Sequence, residues 1–299
     1  MFISPMLVQS DSTGLELSQE TFTSKQHVAE LLLDGIRCIV SFTDHKLHIY
    51  TKDGRNITHR FPELHNCPFP EGTIVDGELI VKDSQGRADY EAVAARIQSN
   101  KSLLPATFCA FDLIHYKGID VSALSLAKRK EMLKEAFEDT ESFQKVPYKV
   151  GKAEELFEQA RAENLEGIII KSKRAKYLAG KKTRTWIKKI NWTYTEVYIT
   201  GYRNQDYGLL ASIDHTDGYS VPVGLIDQGV TEAHKNWLKR IPKRFIRKED
   251  RHFTYLSPSL HASIRSRGWT RNGKLRSLSS WNLSMQNKKD CDHLKEEER

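Results

Sequence analysis

The run Glu30-Leu31-Leu32-Leu33-Asp34-Gly35-Ile36-Arg37 constrains this chain more than any other. An apolar stretch ends at an Asp-Gly pair, a strong turn signal, and a β-rich stretch follows at once. The apolar stretch therefore reads as a strand ending in a turn. Ile36 to Ser41 reads as one strand and Lys46 to Thr51 as the next, around a turn at Thr43-Asp44-His45, with the hairpin ending in Lys52-Asp53-Gly54-Arg55. Thr73 to Lys82 is β-rich and reads as broken at Asp76-Gly77, and Thr107 to His115 reads as a buried strand. Helical spacing covers Asp89 to Gln98, Ser125 to Phe137 and Ala153 to Glu163, followed by an apolar strand from Gly167 to Lys171. The helix at Ser125 starts basic and ends acidic, the less favourable direction for its macrodipole.

Beyond Asn191 the pattern changes to short strands, at Thr195 to Tyr202, Gly208 to His215, Tyr219 to Leu225 and Ala262 to Arg267, with one helix near Glu232 to Arg240. That inventory fits a small OB-type barrel. A chain of 299 residues accommodates two domains of ordinary size. The expected fold class is α+β: a domain of antiparallel sheets and helices over 1–191, a β-barrel over 192–285, and a polar tail over 286–299 expected to be disordered.

A net charge of +7 and a pI near 9.1 favour a polyanionic partner. The basic residues concentrate. Lys171, Lys173, Arg174, Lys176, Lys181, Lys182, Arg184, Lys188 and Lys189 follow one another with no acid between them. A second cluster holds Lys239, Arg240, Lys243, Arg244, Arg247, Lys248 and Arg251. Each is read either as a solvated face or as a track for phosphates. Cys38, Cys67, Cys109 and Cys291 show no pairing motif, which fits reduced thiols in a cytoplasmic protein. The N-terminus lacks a signal-peptide pattern, and no apolar run approaches the roughly 20 residues that span a bilayer.

Six blocks stand in order: Glu30 to Arg37, Thr51-Lys52-Asp53-Gly54, Asp76-Gly77-Glu78-Leu79, Phe111-Asp112-Leu113-Ile114, Glu166 to Lys171, and Trp186-Ile187-Lys188. The series resembles the nucleotidyltransferase motifs of ATP-dependent DNA ligases, most closely the compact bacterial and phage type. The resemblance implies an adenylation domain followed by an OB-fold domain, ATP as AMP donor, Mg2+ or Mn2+, and nicked double-stranded DNA as partner. It implies no membrane and a monomer. By the same resemblance Glu30 accepts the adenine amino group, Phe111 stacks on the base, and Arg37 and Lys52 meet the ribose and phosphates. Glu78 and Glu166 are the metal carboxylates, with Glu78 also a ribose contact. Lys171 and Lys188 are the phosphate lysines, and Lys173, Arg174, Lys176, Lys181, Lys182 and Arg184 the DNA contacts. Each also has a plainer reading: Glu30 as a strand glutamate, Phe111 as core, the cations as surface charge.

The chain departs from that pattern at three places. The nucleophilic lysine of the family is Leu32 here, and leucine has no lone pair with which to attack ATP, so self-adenylylation is expected to be blocked. The last step, in which a 3′-hydroxyl displaces AMP from an adenylylated 5′-phosphate, does not use that lysine as nucleophile and is expected to survive. Ile190 stands where a further lysine is usual, and Ser277-Leu278-Ser279-Ser280-Trp281 replaces the usual closing motif. Two other readings compete. One is a pseudo-ligase that binds nicked DNA or nucleotide without chemistry. The other is an RNA ligase or capping guanylyltransferase, against which Glu30 and the Phe111 block speak.

Overall fold

A computed structural model of the protein describes residues 1–10, 19–99, 104–214, 220–227 and 229–282. The tail expected to be disordered, with Cys291, lies outside them. The chain divides into two units, Met1–Asn191 and the part from Trp192 onward.

The first unit runs β1 (Leu7–Ser10), α1 (Gln19–Thr23), β2 (His27–Leu31), β3 (Ile36–Thr43), β4 (Lys46–Thr51), β5 (Thr73–Val81) and α2 (Tyr90–Gln98). It continues through β6 (Ala106–Tyr116), β7 (Ile119–Asp120), α3 (Leu126–Ala136), β8 (Phe143–Lys145), β9 (Tyr148–Val150), α4 (Ala153–Ala162), β10 (Gly167–Ser172) and β11 (Lys182–Ile190). One sheet has the order β1-β11-β10-β2-β9, and the other β4-β3-β5-β6-β7 with β8 beside β6. All pairs are antiparallel except β1–β11 and β6–β8.

Strand alternation sets the layers. On β10, Ile168 and Ile170 face Ala153, Leu156 and Ala160 of α4. Ile169 points the other way, into a cluster with Trp186 of the first sheet and Ile39, Ile74 and Ile114 of the second. Behind the second sheet, Val75, Leu79 and Val81 pack with Phe108, Phe143 and Val93. The two sheets therefore meet face to face, with helices on their outer sides.

Local chemistry explains the turns and one misreading. The β3–β4 hairpin turns through Asp44 and His45, both with positive φ (53° and 55°), and Glu71 accepts both of their amides. Asp76-Gly77 does not end the strand: β5 continues through it, but its pairing with β6 shifts register there. Glycine is needed at that shift, because a Cβ on Gly77 would lie 2.4 Å from the Phe108 ring. Asp89 caps α2 by accepting the Ala92 amide. The basic start of α3 has a physical reason: Arg129 and Lys130 turn inward onto buried carboxylates.

The second unit contains β12 (Thr193–Arg203), β13 (Leu209–Asp214), β14 (Ser220–Ile226), α5 (Glu232–Leu238), β15 (Ile246–Glu249), β16 (Phe253–Ser266) and β17 (Ser279–Asn282). The sheet order is β14-β13-β12-β16-β15, with β17 beside β16. Val197, Ile199, Ala211, Val223, Ala262 and Ile264 form its core. This antiparallel sheet with one helix is consistent with the expected OB-type architecture. Two sequence readings change. The strand expected at Ala262 is the second half of β16, whose first half is hidden by Pro258 at an irregularity between Tyr255 and Leu260. The divergent end is folded: β17 pairs with β16, and Leu278 enters the core against Gly224, where a Cβ would meet its Cδ1 at 2.6 Å.

Candidate active site

The cleft between the sheets is built by register. Across the first sheet, Ile169 pairs with Glu30 of β2 on one side and with Lys188 of β11 on the other. Glu30, Ile169 and Lys188 thus form one row, and Lys171 and Trp186 form the next. On the second sheet Arg37 of β3 pairs with Glu78 of β5, and Ile39 with Asp76. These side chains share the face that meets the first sheet, with Phe111 beside them on β6.

At one end Glu30 is 1% exposed and ion-paired twice. Its Oε2 lies 2.6 Å from Lys171 Nζ, and its Oε1 contacts Lys130 Nζ. The Lys171 ammonium also sits 4.3 Å from the Phe111 ring centre and 4.2 Å from that of Trp186. Burial pulls Lys171 down to about 8, partly opposed by Glu30 and reinforced by Lys130. Lys171, expected at the phosphates, is paired here with the candidate base-reading carboxylate, because two charges buried side by side must pair. Lys130 was missed in the sequence, although the basic helix start was its signal.

Next along the cleft, Arg37 grips Asp76 with a fork, Nε to Oδ1 at 3.0 Å and Nη2 to Oδ2 at 2.6 Å. The Tyr177 hydroxyl donates to the same Oδ2 at 2.7 Å. The guanidinium stacks 5.3 Å from the Phe111 ring centre and 5.7 Å from that of Trp186. Neither Asp76 nor Tyr177 was singled out in the sequence, since an Asp-Gly pair and a lone tyrosine look like a turn and core.

Burial pushes the Glu78 carboxyl up to about 8, against the pull of Arg37 and Lys188 and with the push of Glu166 and Asp76. Those charges therefore converge on one spot. Glu166 is half-buried just before β10, and Lys188 is half-buried on β11. Lys189 faces the opposite side, toward Phe22 and Phe157, as strand alternation requires. A carboxyl held above its ordinary 4.5 keeps a proton that the unfolded chain has lost, so it lowers stability as pH rises toward about 8. Glu78→Gln is expected to flatten that fall, which urea melts of both proteins at about pH 5 and about pH 8 would register.

Leu32 follows the end of β2, and its amide donates to the Gly167 carbonyl at 2.9 Å. Leu31 packs on the helix side and Leu33 packs with Ile80 and Cys109. Leu32 itself is half-buried and joins no apolar cluster among the described residues. The leucine has gained no core role. Gly35 is required at the turn, because a Cβ there would lie 2.5 Å from the Leu79 carbonyl oxygen.

Lys52 is exposed in the turn after β4. Arg174, Lys176, Lys181, Lys182 and Arg184 are exposed and Lys173 half-buried, and none forms an ion pair among the described residues. Nor do three or more His, Cys, Asp or Glu gather as a metal cluster among those residues.

The two facing sheets thus enclose a cleft with a buried carboxylate and aromatic ring at one end and cations with paired carboxylates at the other. The profile of the ATP dependent DNA ligase domain matches residues 5–189. The chain is 35% identical over 287 residues to the SPbeta prophage-derived DNA ligase-like protein LigB of Bacillus subtilis (strain 168), covering 95% of this chain and 100% of that protein. It is 26% identical to the multifunctional non-homologous end joining protein LigD of Mycobacterium bovis, covering 98% of this chain and 40% of LigD. The chain belongs to the ATP-dependent DNA ligase family. Among solved structures, a Lig E DNA ligase shares its fold with a TM-score of 0.65 at 20% identity, covering 93% of this chain and 98% of that one. A mycobacterial DNA ligase D solved with ATP gives a TM-score of 0.56 at 24% identity, covering 94% and 95%.

Proposed function

We propose that this chain is a ligase-type enzyme for nicked duplex DNA whose Leu32 restricts it to the final step, sealing of a nick that already carries 5′-AMP. The observation that carries this is the state of the cleft around Leu32. Glu30, Arg37, Phe111, Glu78, Glu166 and Lys188 line one cleft, while the nucleophile position holds a half-buried leucine that belongs to no apolar core cluster among the described residues. In the sealing step the 3′-oxygen forms a bond to the 5′-phosphorus, the bond from that phosphorus to AMP breaks, and the hydroxyl proton passes to solvent. No amine is consumed. Phe111 and Glu30 would hold the adenine, Lys171 would orient Glu30, and Arg37 and Lys188 would meet the phosphates. Lys52 would reach the ribose or phosphates from the edge strand.

Glu78 and Glu166 would hold Mg2+ or Mn2+, which prefers one or two carboxylates together with phosphate oxygens and water. Glu78 faces the cleft beside Arg37 on the second sheet, and Glu166 directly precedes β10 of the first. Such an ion would neutralise charge on the phosphates.

The exposed cations from Arg174 to Arg184 would follow the DNA backbone, reading duplex shape rather than sequence. Lys182→Ala and Arg184→Ala are each expected to weaken nick binding equally across sequences and to lower the slope of log K against log salt by about one. Unchanged slopes would remove these residues from the interface. Among the described residues no helix is long and apolar enough to cross a membrane. We read the protein as a cytoplasmic monomer. A pseudo-ligase that only binds would retain the nick and leave it open, which the sealing assay distinguishes.

A further inference from the structure

A polar bridge crosses the cleft at Tyr177. The residue lies between β10 and β11, in the segment whose sequence is Lys173-Arg174-Ala175-Lys176-Tyr177-Leu178. That segment alternates. Arg174, Lys176 and Leu178 are exposed, while Ala175 and Tyr177 are buried. Its inward side is fastened at several points: the Ala175 carbonyl accepts from Arg129 Nη1 and from the Leu126 amide, each at 2.9 Å, and the Tyr177 amide donates to Ser122 at 2.9 Å.

The Tyr177 hydroxyl uses both of its capacities. It accepts the Met6 amide at 3.0 Å and donates to Asp76 Oδ2 at 2.7 Å. Asp76 is fully buried on the opposite sheet, and its two oxygens also hold the fork of Arg37. The outward cations and the inward arginine are therefore joined through one phenol and one carboxylate. No other hydrogen-bond donor than Arg37 and Tyr177 is recorded on the Asp76 side chain among the described residues.

We infer that Tyr177 is a positioning residue, coupling the DNA-facing segment to the orientation of Arg37. The inference rests on the sealing activity proposed above. When phosphates dock on Arg174 and Lys176, the segment that carries them fixes the Tyr177 hydroxyl. That hydroxyl orients the Asp76 carboxylate, and the carboxylate holds the Arg37 guanidinium over Phe111. A phenylalanine would keep the packing against Trp186 and the Arg129 guanidinium. It would leave Asp76 one donor short, free to turn and take Arg37 with it.

The test compares the parent protein with Tyr177→Phe on a nicked duplex bearing 5′-AMP. Single-turnover sealing is expected to slow about tenfold or more, as loss of a hydrogen bond to a charged group would give, while nick affinity stays within about twofold. In parallel, the Nε–H resonance of Arg37 in a 15N–1H spectrum should shift when DNA is added to the parent protein and should not respond in Tyr177→Phe. Asp76→Asn should slow sealing too, and adding Tyr177→Phe to it should slow it little further. A sealing rate and Arg37 response unchanged by Tyr177→Phe would overturn the inference. So would equal losses of rate and affinity, which mark general damage. If the parent protein seals no adenylylated nick, the functional reading fails, and the Arg37 resonance alone then decides for or against Tyr177.

Discussion

Leu32→Lys is expected to turn a protein that takes no label from α-labelled ATP into one labelled stoichiometrically, as a covalent lysyl-AMP. The backbone is ready for it. The Leu32 amide is fixed on Gly167, Gly35 lies in the bend behind it, and the leucine side chain is half-buried and belongs to no apolar core cluster among the described residues. The substitution therefore supplies a nucleophile at little structural cost, and the cations that would steady the departing pyrophosphate are on the same cleft face. The revertant should also seal ordinary 5′-phosphorylated nicks with ATP, which the Leu32 protein should not. Label on the Leu32 protein would reveal another nucleophile. Failure of the revertant to take label would place the block elsewhere, with Ile190 and the divergent β17 region as the next suspects.

The largest stability effect is expected at Asp112, the residue after Phe111. Asp112 and Arg129 are both fully buried and pair by two bonds, at 2.7 and 2.8 Å. Arg129 spends both Nη1 donors on the carbonyls of Leu124 and Ala175. Asp112→Ala would strand a guanidinium without its counter-charge in the interior, at a cost of about 3–5 kcal/mol. In a domain of this size that lowers Tm on the order of 10 °C. Adding Arg129→Met should recover part of the loss, because a buried pair removed whole costs less than a pair broken in half. Thermal and urea melts of the two variants decide it. A loss under about 1 kcal/mol for Asp112→Ala would mean that the charge finds another partner.

How far the sequence carried these conclusions depends on what each side chain meets. Strand and helix periodicity placed β3, β4, α2, α3, α4 and β10 close to their observed bounds, because one face of each is buried. The resemblance to the ligase motifs named the cleft residues, and strand alternation agrees with their sharing one face. Partners across the fold were not legible. Nothing in the sequence couples Lys130 to Glu30, or Tyr177 to Asp76, across gaps of 100 and 101 residues. The Lys171–Glu30 pair was hidden for the same reason, as a lysine in a phosphate-binding series looks free until its carboxylate is seen. Asp76-Gly77 misled differently. Its glycine answers the Phe108 ring rather than a turn, and its aspartate answers an arginine. The long β16 was cut short by Pro258, because a proline at a bulge and a proline ending a strand look alike in one dimension.

The central claim is that the cleft still performs the sealing step although its amine is missing. The most direct measurement supplies the Leu32 protein with a nicked duplex already carrying 5′-AMP, together with magnesium and no ATP, and follows the joined strand and released AMP. Joined product with one AMP released per seal is the expected result, abolished by Arg37→Ala and slowed by Glu166→Gln. A nick that is bound and stays open under the same conditions would contradict the account.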